Sequence, residues 1–462
     1  MLNKAGGPVA SAKARTPPAN HDSIPSVPSI VETELSADLI IVGAGAVGLF
    51  LAFALARRGI SVILLEKRKQ RDAGSRAIGI SSPSLALLAA EGILEPFVAE
   101  GVTVRGALVS DGRRELGRLD FASVGGPFPF VLSLPQARTE AILEELVRRE
   151  PLIRYCPGIE ATGFADAGRM SGPEAGRAPG GERGVGESGE GLPLGKLAIL
   201  SARDEAGCRR LFGAELVVAC DGKRGLLGPA SGLAAKGHSY RDRFLMGDFV
   251  DYTNWNNDAR LFFTPSGSVE SFPLPGGMRR WVLSCEVGGA ADGGLWLSAK
   301  ARARTGTVLE PAAMRFESAF GVERRIQGRW ASGRLFVAGD AAHLMSPIVG
   351  QNMNTGFADA LWLAGALEEL FRAGGGGGRS RRGGSALDET AIERLGRAYA
   401  RSRRAPARAA ANRAWAMMRL GTARGGLVSG LRSTLVAAAL SGPAAKRLAG
   451  IFTMRSIPGG RG

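Results

Sequence analysis

A short glycine-rich segment near the start of the chain has the composition of a phosphate-binding loop. It lies between two apolar runs, residues 38–42 and 49–56. A strand that ends in such a loop and continues into a helix brings backbone N–H groups close to a pyrophosphate and directs the positive end of the helix at it. The predicted contact residues are Gly43, Gly45, Ala46, Val47 and Gly48. The pattern predicts a dinucleotide site but does not separate FAD from NAD.

An acidic residue follows at the distance that such a site requires. The next apolar run, 61–65, ends at Glu66, and Lys67 comes directly after it. A carboxylate about 20 residues beyond the glycines accepts hydrogen bonds from the ribose hydroxyls of a bound adenosine. We therefore include Glu66 and Lys67 in the predicted cofactor site.

A second strand–loop–helix pattern occurs late in the chain, over residues 333–364. Asp340 can accept hydrogen bonds from a polyol chain, and the N–H groups around residues 350–354 direct the positive end of a helix at a nearby anion. For a flavin, that anion is the reduced ring, which is charged at N1 and the C2 carbonyl. The predicted contact residues here are Gly339, Asp340, Pro347, Gly350, Gln351, Asn352 and Met353.

Three polar residues between these two patterns are further candidates. Arg76 lies in the loop 74–83, Gln136 begins a helical pattern, and Asp221 precedes Gly222 in a turn after an apolar strand. Taken alone, Arg76 is typical of a solvated surface residue and Gln136 of an ordinary polar group in a first helical turn. They become candidate cofactor ligands only through the family resemblance described next.

Together, these ordered motifs resemble the FAD-dependent monooxygenases of the aromatic hydroxylase class, the group that includes para-hydroxybenzoate hydroxylase and the ubiquinone-biosynthesis hydroxylases. The resemblance covers about residues 36–365 and weakens beyond them. It implies one FAD, with Glu66 at the adenosine ribose, Arg76 and Gln136 near the pyrophosphate and ribityl chain, and Asp340 at the ribityl hydroxyls. It also implies that Asp221 lies near the pyrophosphate and helps to position NADPH or NADH.

The activity implied by the resemblance is hydroxylation of an aromatic or quinone-precursor substrate. NAD(P)H would reduce FAD, and O2 would form a flavin C4a-hydroperoxide that transfers one oxygen. Two alternatives with the same fold stay open: a reductase of isoprenoid or quinone-like double bonds, and a halogenase, although the Trp-x-Trp-x-Ile-Pro signature of many halogenases is absent. A non-enzymatic, membrane-associated flavoprotein is a further alternative.

Two residues depart from the pattern of that class. Gly225 stands where the class usually has Ser, and Asn352 stands where it has a second Gly. The first departure bears on the handling of the nicotinamide, and the second adds a side chain beside the flavin. No catalytic acid or base is predicted, and His343 belongs to the flavin motif without a defined role.

The length of the chain, 462 residues, and its hydrophobic content of 45% suffice for a large core in two or three domains. We predict an α/β fold in which a Rossmann-like FAD-binding domain is interleaved with a substrate domain built on a mostly antiparallel sheet, followed by a C-terminal helical region. The predicted segments are a disordered tail (1–36), three FAD-domain parts (37–110, 136–230 with a Gly-rich insertion at 166–195, and 326–372), two substrate-domain parts (111–135 and 231–325), a Gly/Arg-rich linker (373–387) and a basic helical region (388–462).

The substrate pocket is expected between the flavin and one face of the antiparallel sheet. Four aromatic residues in its strands could line that pocket, although alternating aromatic residues in strands are also typical of core packing. They are Phe262, Phe263, Phe272 and Trp281.

Cysteine and histidine usage excludes several kinds of site. The four cysteines and three histidines have neither disulfide-framework density nor metal-ligand spacing. No stretch reaches the roughly 18 consecutive apolar residues of a membrane span. We therefore predict a cytoplasmic protein without a metal site.

Positive charge is concentrated at the end of the chain. Residues 372–462 contain 18 Lys or Arg and three acids, with apolar residues between them. This composition suits peripheral contact with an anionic membrane, on its inner face, but it also suits a helix packed across the two domains. Because no nucleic-acid motif accompanies the charge, we predict no nucleic-acid partner.

Overall fold

The computed structural model describes residues 32–71, 74, 77–166, 197–233, 235–285, 293–346, 350–374, 387–423 and 425–455. Arg76 and Pro347 lie outside the described residues, as do nearly all of the predicted tail, Gly-rich insertion and linker. The remaining predicted site residues are all described.

The strands, in chain order, are β1 (Glu32–Val42), β2 (Val62–Glu66), β3 (Gly79–Ile80), β4 (Val102–Val104), β5 (Gly106–Ser110), β6 (Glu115–Asp120), β7 (Val131–Ser133), β8 (Ile153–Pro157), β9 (Glu160–Asp166), β10 (Ala198–Arg203), β11 (Arg209–Ala219), β12 (Ala235–Val250), β13 (Ala259–Thr264), β14 (Gly267–Leu274), β15 (Met278–Cys285), β16 (Met314–Gln327), β17 (Ala331–Ser332), β18 (Leu335–Val337) and β19 (His343–Leu344).

The helices are α1 (Ala46–Ala56), α2 (Ser82–Ala90), α3 (Glu95–Glu100), α4 (Gln136–Arg149), α5 (Leu227–Ala230), α6 (Gly293–Thr305), α7 (Gln351–Ala373), α8 (Glu389–Thr422), α9 (Gly426–Ser441) and α10 (Ala444–Phe452). Short 3-10 turns occur at Phe121–Val124, Pro311–Ala313 and Gly339–Ala341.

The first sheet carries the glycine-rich loop. Its strand order is β17-β18-β11-β1-β2-β8, with β10 and β9 attached beside β11, and β1 is parallel to both β2 and β11. Helix α1 packs against α4 and α7, and all its residues except Val47 are buried. A helix buried on all sides needs apolar residues at every position, which explains why the sequence 46–56 shows no helical period.

The second sheet has the order β19-β16-β12-β15-β14-β13-β5-β6 and is antiparallel at every pairing except β13 with β5. The predicted α/β fold with a mostly antiparallel second sheet is therefore confirmed. Strand β5 pairs with β13 and β6, so residues 106–110 lie in the second sheet, although the first predicted FAD-domain segment extends to residue 110. The strand pattern at residues 102–110 does not show with which sheet the strand pairs.

Helix α8 packs against elements of both sheets. It contacts α7 and β17 on one side and β13, β14 and β16 on the other. Tyr399 is buried and donates a hydrogen bond to the Val337 carbonyl at 3.2 Å, while Met418 packs in a cluster with Phe244. Part of the basic region thus has a structural role, which is one of the two interpretations that the sequence left open.

No single described helix is long and apolar enough to cross a membrane. Helices α9 and α10 together meet the criteria of length and composition, but they are bent by 98° relative to each other. Helix α9 exposes Leu427, Leu431 and Leu435.

Candidate functional site

The glycine-rich loop has the backbone geometry that close approach to a phosphate requires. Gly43 has φ +102° and donates a hydrogen bond to the Leu65 carbonyl at 2.7 Å. Helix α1 starts directly after Gly45, which provides no side-chain cap for the first N–H groups. A Cβ atom on Gly48 would lie 1.9 Å from the Gly43 carbonyl oxygen. Only glycine therefore allows the loop to fold back against the first turn of α1.

Replacing Gly48 by alanine should displace the loop and weaken FAD binding by about 5- to 150-fold, because overpacking of this kind typically costs about 1–3 kcal/mol. Gly365→Ala is the matched control, since a Cβ there meets no atom within 4 Å. Titration of both apoproteins with FAD measures the difference. Equal affinities would show that the loop tolerates the added methyl group.

Glu66 lies at the carboxyl end of β2, beside this loop. It is buried and accepts hydrogen bonds from the Ala44 N–H at 2.8 Å and from Arg68 Nε at 3.0 Å. Glu66 and Lys67 both line the large cleft that begins at the glycines. This location suits the predicted contact with the adenosine ribose.

Gln136 brings a neighbouring carboxylate to the start of α1, which the sequence did not predict. Its Nε2 donates to Glu140 Oε1 at 2.8 Å, and the same oxygen accepts the Ala46 N–H at 3.3 Å. Arg71 pairs with Glu140 at 3.0 Å. The guanidinium therefore offsets a negative charge that would otherwise repel a phosphate. The i,i+4 spacing of Gln136 and Glu140 places both side chains on one face of α4 and could have predicted their contact.

The position of the Asp221 carboxylate explains why residue 225 is a glycine. The Asp221 carboxylate accepts the Leu227 N–H at 3.2 Å, and burial raises its pKa. A Cβ atom on Gly225 would lie 2.0–2.4 Å from the Asp221 carboxylate atoms. The departure from Ser thus leaves space for Asp221 to turn back over the loop.

Asn352, the second departure, is a bridge between two motif residues. Its Nδ2 donates to Asp340 Oδ1, and its Oδ1 faces His343 Nδ1 at 3.0 Å. Desolvation by the surrounding protein raises the pKa of Asp340. Its side chain is nevertheless exposed at the wall of the cleft. These two contacts hold the Asn352 side chain and fix the position of Asp340.

His343 is part of a buried charged chain. Its Nε2 lies 2.6 Å from Asp359 Oδ2, and Arg403 Nε donates to Asp359 Oδ1 at 2.9 Å. Burial lowers the pKa of His343, but the charge and hydrogen bond of Asp359 offset this and raise the pKa overall. Both ring nitrogens face oxygen atoms, an arrangement that favours the protonated ring.

Replacing Asp340 by asparagine should weaken FAD binding about tenfold, because a charge-assisted hydrogen bond to a ribityl hydroxyl would become a neutral one. Asp258→Asn is the control, since that carboxylate pairs with Arg118 outside the cleft lining. FAD titration of the apoproteins compares them. Unchanged affinity in Asp340→Asn would remove Asp340 from the ribityl contact.

One cleft of about 740 Å³ brings most of the predicted site residues together. Those that line it are Gly43, Gly45, Ala46, Val47, Gly48, Glu66, Lys67, Gln136, Asp221, Asp340, Gly350, Asn352 and Met353. Gly339 instead packs against Val47, and Gln351 is buried at the start of α7. The start of α1, where Gly45 supplies no side-chain cap and Glu140 accepts the Ala46 N–H, suits the phosphates of an FAD. The start of α7 after Gly350, which likewise supplies no cap, and the open Asp340 carboxylate suit its flavin ring and ribityl chain.

A second cavity adjoins this cleft. It shares Ala77, Phe320 and Gly350 with the cleft and is mostly apolar. Its other walls come from one face of the second sheet and from segments facing it, including Met246, Leu261, Glu270, Phe272, Val282 and Phe452. Burial raises the pKa of Glu270 to about 7.

The aromatic residues predicted to line the substrate pocket divide between two faces of the sheet. Phe272 lines the cavity, but Phe262 and Trp281 pack in a core cluster with Leu297 of α6. Phe263 packs in a different cluster, near Arg432 of α9. Core packing, the other interpretation of this pattern, therefore applies to Phe262 and Trp281.

The sequence of this chain matches a family model and several curated proteins. A family model described as "FAD binding domain" matches residues 36–175 and 198–383. Among curated relatives, the 6-methylpretetramide 4-monooxygenase of Streptomyces rimosus is 32% identical over 77% of this chain and 59% of its own length. The rifampicin monooxygenase of Streptomyces venezuelae is 31% identical over 71% of this chain and 63% of its own length.

The fold also has solved counterparts. The p-nitrophenol 4-monooxygenase of Pseudomonas putida DLL-E4 matches with a TM-score of 0.75 and 18% identity, over 93% of this chain and 100% of that one. At that identity, the match shows the fold alone. The chain spans about 60% of the length of the two curated relatives described above.

Proposed function

We propose that this chain, which belongs to the FAD binding domain family, is a monooxygenase that uses NAD(P)H and O2 to hydroxylate an aromatic or quinone-like substrate. Its resemblance to FAD-dependent aromatic hydroxylases and its use of FAD, both predicted from the sequence, are confirmed by the family match and by the monooxygenase relatives. The nicotinamide, the substrate class and the details of the oxygen chemistry stay predictions.

The observation that carries this proposal is the junction between the cleft and the apolar cavity. Phe320 and Gly350 line both spaces, and Gly350 directly precedes α7, the helix whose N-terminus was predicted to face the flavin ring. A planar apolar substrate in the cavity would therefore lie next to the reactive part of the cofactor. Hydrophobic walls with few polar groups are typical of pockets for aromatic ligands.

The chain's own residues would bind and orient the reactants. The glycine loop and the start of α1 would hold the phosphates, and Asp340, fixed by Asn352, would hold the ribityl chain. The uncapped N–H groups at the start of α7 would stabilise negative charge on the adjacent ring. Bound FAD would supply electron transfer from the nicotinamide and the activation of O2.

The test is a screen of phenols, including p-nitrophenol and polycyclic phenols, for stimulated NADPH or NADH oxidation by the FAD-loaded protein. Products formed under ¹⁸O2 should contain one labelled oxygen atom. Turnover that is equally fast without O2, with no oxygen gained, would instead support the reductase alternative. Absence of turnover with every donor and substrate would contradict the proposal.

The relatives' names favour neither the reductase nor the halogenase alternative. Peripheral membrane contact through the basic C-terminal region also gains no support from them, and α8 uses part of that region to join the domains. We therefore leave membrane contact out of the proposed function.

A further inference from the structure

Glu270 is placed in the row of side chains that forms the floor of the apolar cavity. It lies on β14, where its register partners are Leu261 on β13 and Val282 on β15, and Val282 is in turn opposite Met246 on β12. All four residues line the cavity. A carboxylate thus interrupts a row that is otherwise apolar.

The other polar side chains at the cavity are already engaged. Ser133 donates a hydrogen bond to the Pro273 carbonyl at 2.6 Å, and Arg280 is paired with Asp248 through two hydrogen bonds at 2.6 and 2.7 Å. Arg280 and Glu270 are the titratable side chains among the described lining residues. Within the described part of the chain, Glu270 has neither a hydrogen bond nor an ion pair, although it is only 8% exposed.

A buried carboxylate without a partner is costly, and its site would be more stable with an apolar or amide side chain. Glu270 therefore makes no evident contribution to folding. Since its carboxylate faces a cavity and not a packed core, the group that satisfies it should enter from that cavity. A ligand with a hydroxyl group on an apolar ring matches both the carboxylate and the surrounding walls.

We propose that Glu270 accepts the hydroxyl proton of a phenolic substrate bound in this cavity. The inference rests on the proposed function, because it assigns a residue to the activation of that aromatic substrate. It names the catalytic base that neither the sequence motifs nor the family match identifies. Arg280, held by Asp248, is not needed for this step.

The proton transfer balances without a further reactant. The phenol O–H bond breaks, the proton moves to a carboxylate oxygen of Glu270, and the electron pair stays on the phenolate oxygen. The phenolate is richer in electrons at its ortho and para carbons, which favours attack on an electrophilic oxygen. The pKa of about 7 that burial gives Glu270 suits a general base at neutral pH.

The first experiment measures binding without turnover. The oxidised, FAD-loaded protein is titrated with 1-naphthol and with 1-methoxynaphthalene, which lacks the hydroxyl proton, and the flavin absorbance reports occupancy. At pH 8 we expect the wild type to bind the naphthol about tenfold more tightly than the ether, since the ionised carboxylate accepts its hydroxyl. Glu270→Gln should lose most of this preference.

The second experiment measures catalysis with a substrate found by the phenol screen. In the wild type, kcat/KM should rise as the pH increases through about 7, because Glu270 must lose its proton before it can act as a base. Glu270→Gln should lower kcat/KM by about 10²–10⁴-fold and remove that rise. Glu270→Asp, which keeps a carboxylate, should restore part of the rate and the pH dependence.

Glu317→Gln serves as the control, because Glu317 lies on β16 of the same sheet but is exposed and does not line the cavity. FAD content shows that each variant is folded. Full preference for naphthol in Glu270→Gln, or an unchanged pH profile, would overturn the role of Glu270 while leaving the monooxygenase proposal intact. Failure of the wild type to bind either naphthalene or to oxidise any phenol would instead overturn the proposed function, and this inference with it.

Discussion

Replacing Asp359 by asparagine is expected to lower the free energy of unfolding by about 3–5 kcal/mol. Asp359 is fully buried and is the shared partner of His343 at 2.6 Å and of Arg403 at 2.9 Å. Without the carboxylate, a neutral His343 carries no charge that needs a partner, but Arg403 stays charged in a buried position. The unpaired guanidinium is the main cause of the predicted loss.

Helix α7 offers a closely matched control. Glu368 on the same helix also pairs with two arginines, Arg58 and Arg372, but its side chain is 31% exposed, whereas that of Asp359 is 0% exposed. Glu368→Gln should therefore cost less than about 1 kcal/mol. Urea unfolding of both variants with saturating FAD measures the difference. Similar losses for the two variants would show that burial does not determine the strength of these pairs.

The glycine-rich loop is the part of the site that the sequence could predict. Gly43, Gly45 and Gly48 are recognisable because their spacing alone defines a strand–loop–helix unit, and the structure places them on one cleft with Glu66 and Asp340. These signals are local or have a fixed order along the chain. The fold class followed from them, together with the strand periodicity of the second sheet.

Contacts between distant segments had no comparable signal. Arg403 appeared as one of many positive charges in a basic region, and its partner Asp359 lies 44 residues earlier. Whether such an arginine faces solvent or a buried carboxylate depends on how α8 packs against α7, which composition does not determine. The same reason explains why net charge alone did not separate a membrane surface from a structural helix.

Glu270 was missed for a different reason. Ser268 and Glu270 flank Val269 on β14, and polar residues on either side of an apolar one in a strand usually indicate a face toward solvent. In the structure, that face is covered and encloses a cavity. Strand alternation separates the two faces of a sheet, but it does not show which face is covered by other segments.

The second large effect is expected in the pH dependence of stability at Glu270. Its folded-state pKa of about 7 lies above the ordinary value of 4.5. Between these values the native state binds more protons than the unfolded state, so this group makes the protein less stable as the pH rises through that window. Above about pH 7 both states have lost the proton, and the cost of burying the charge is complete.

Glu270→Gln removes this titration while keeping the shape of the side chain. The stability of the variant relative to the wild type should therefore increase by about 2–3 kcal/mol between pH 5 and pH 8. Thermal unfolding of the FAD-loaded proteins across this range, with Glu317→Gln as the control, measures the change. Since no substrate is present, the result depends only on the environment of the carboxylate.

A stability difference that stays constant from pH 5 to pH 8 would mean that Glu270 is ionised without cost, and hence that solvent or another group reaches it in the free protein. A difference that grows with pH, followed by its reduction when 1-naphthol is added at pH 8, would show that the hydroxyl group supplies the partner that the fold leaves out.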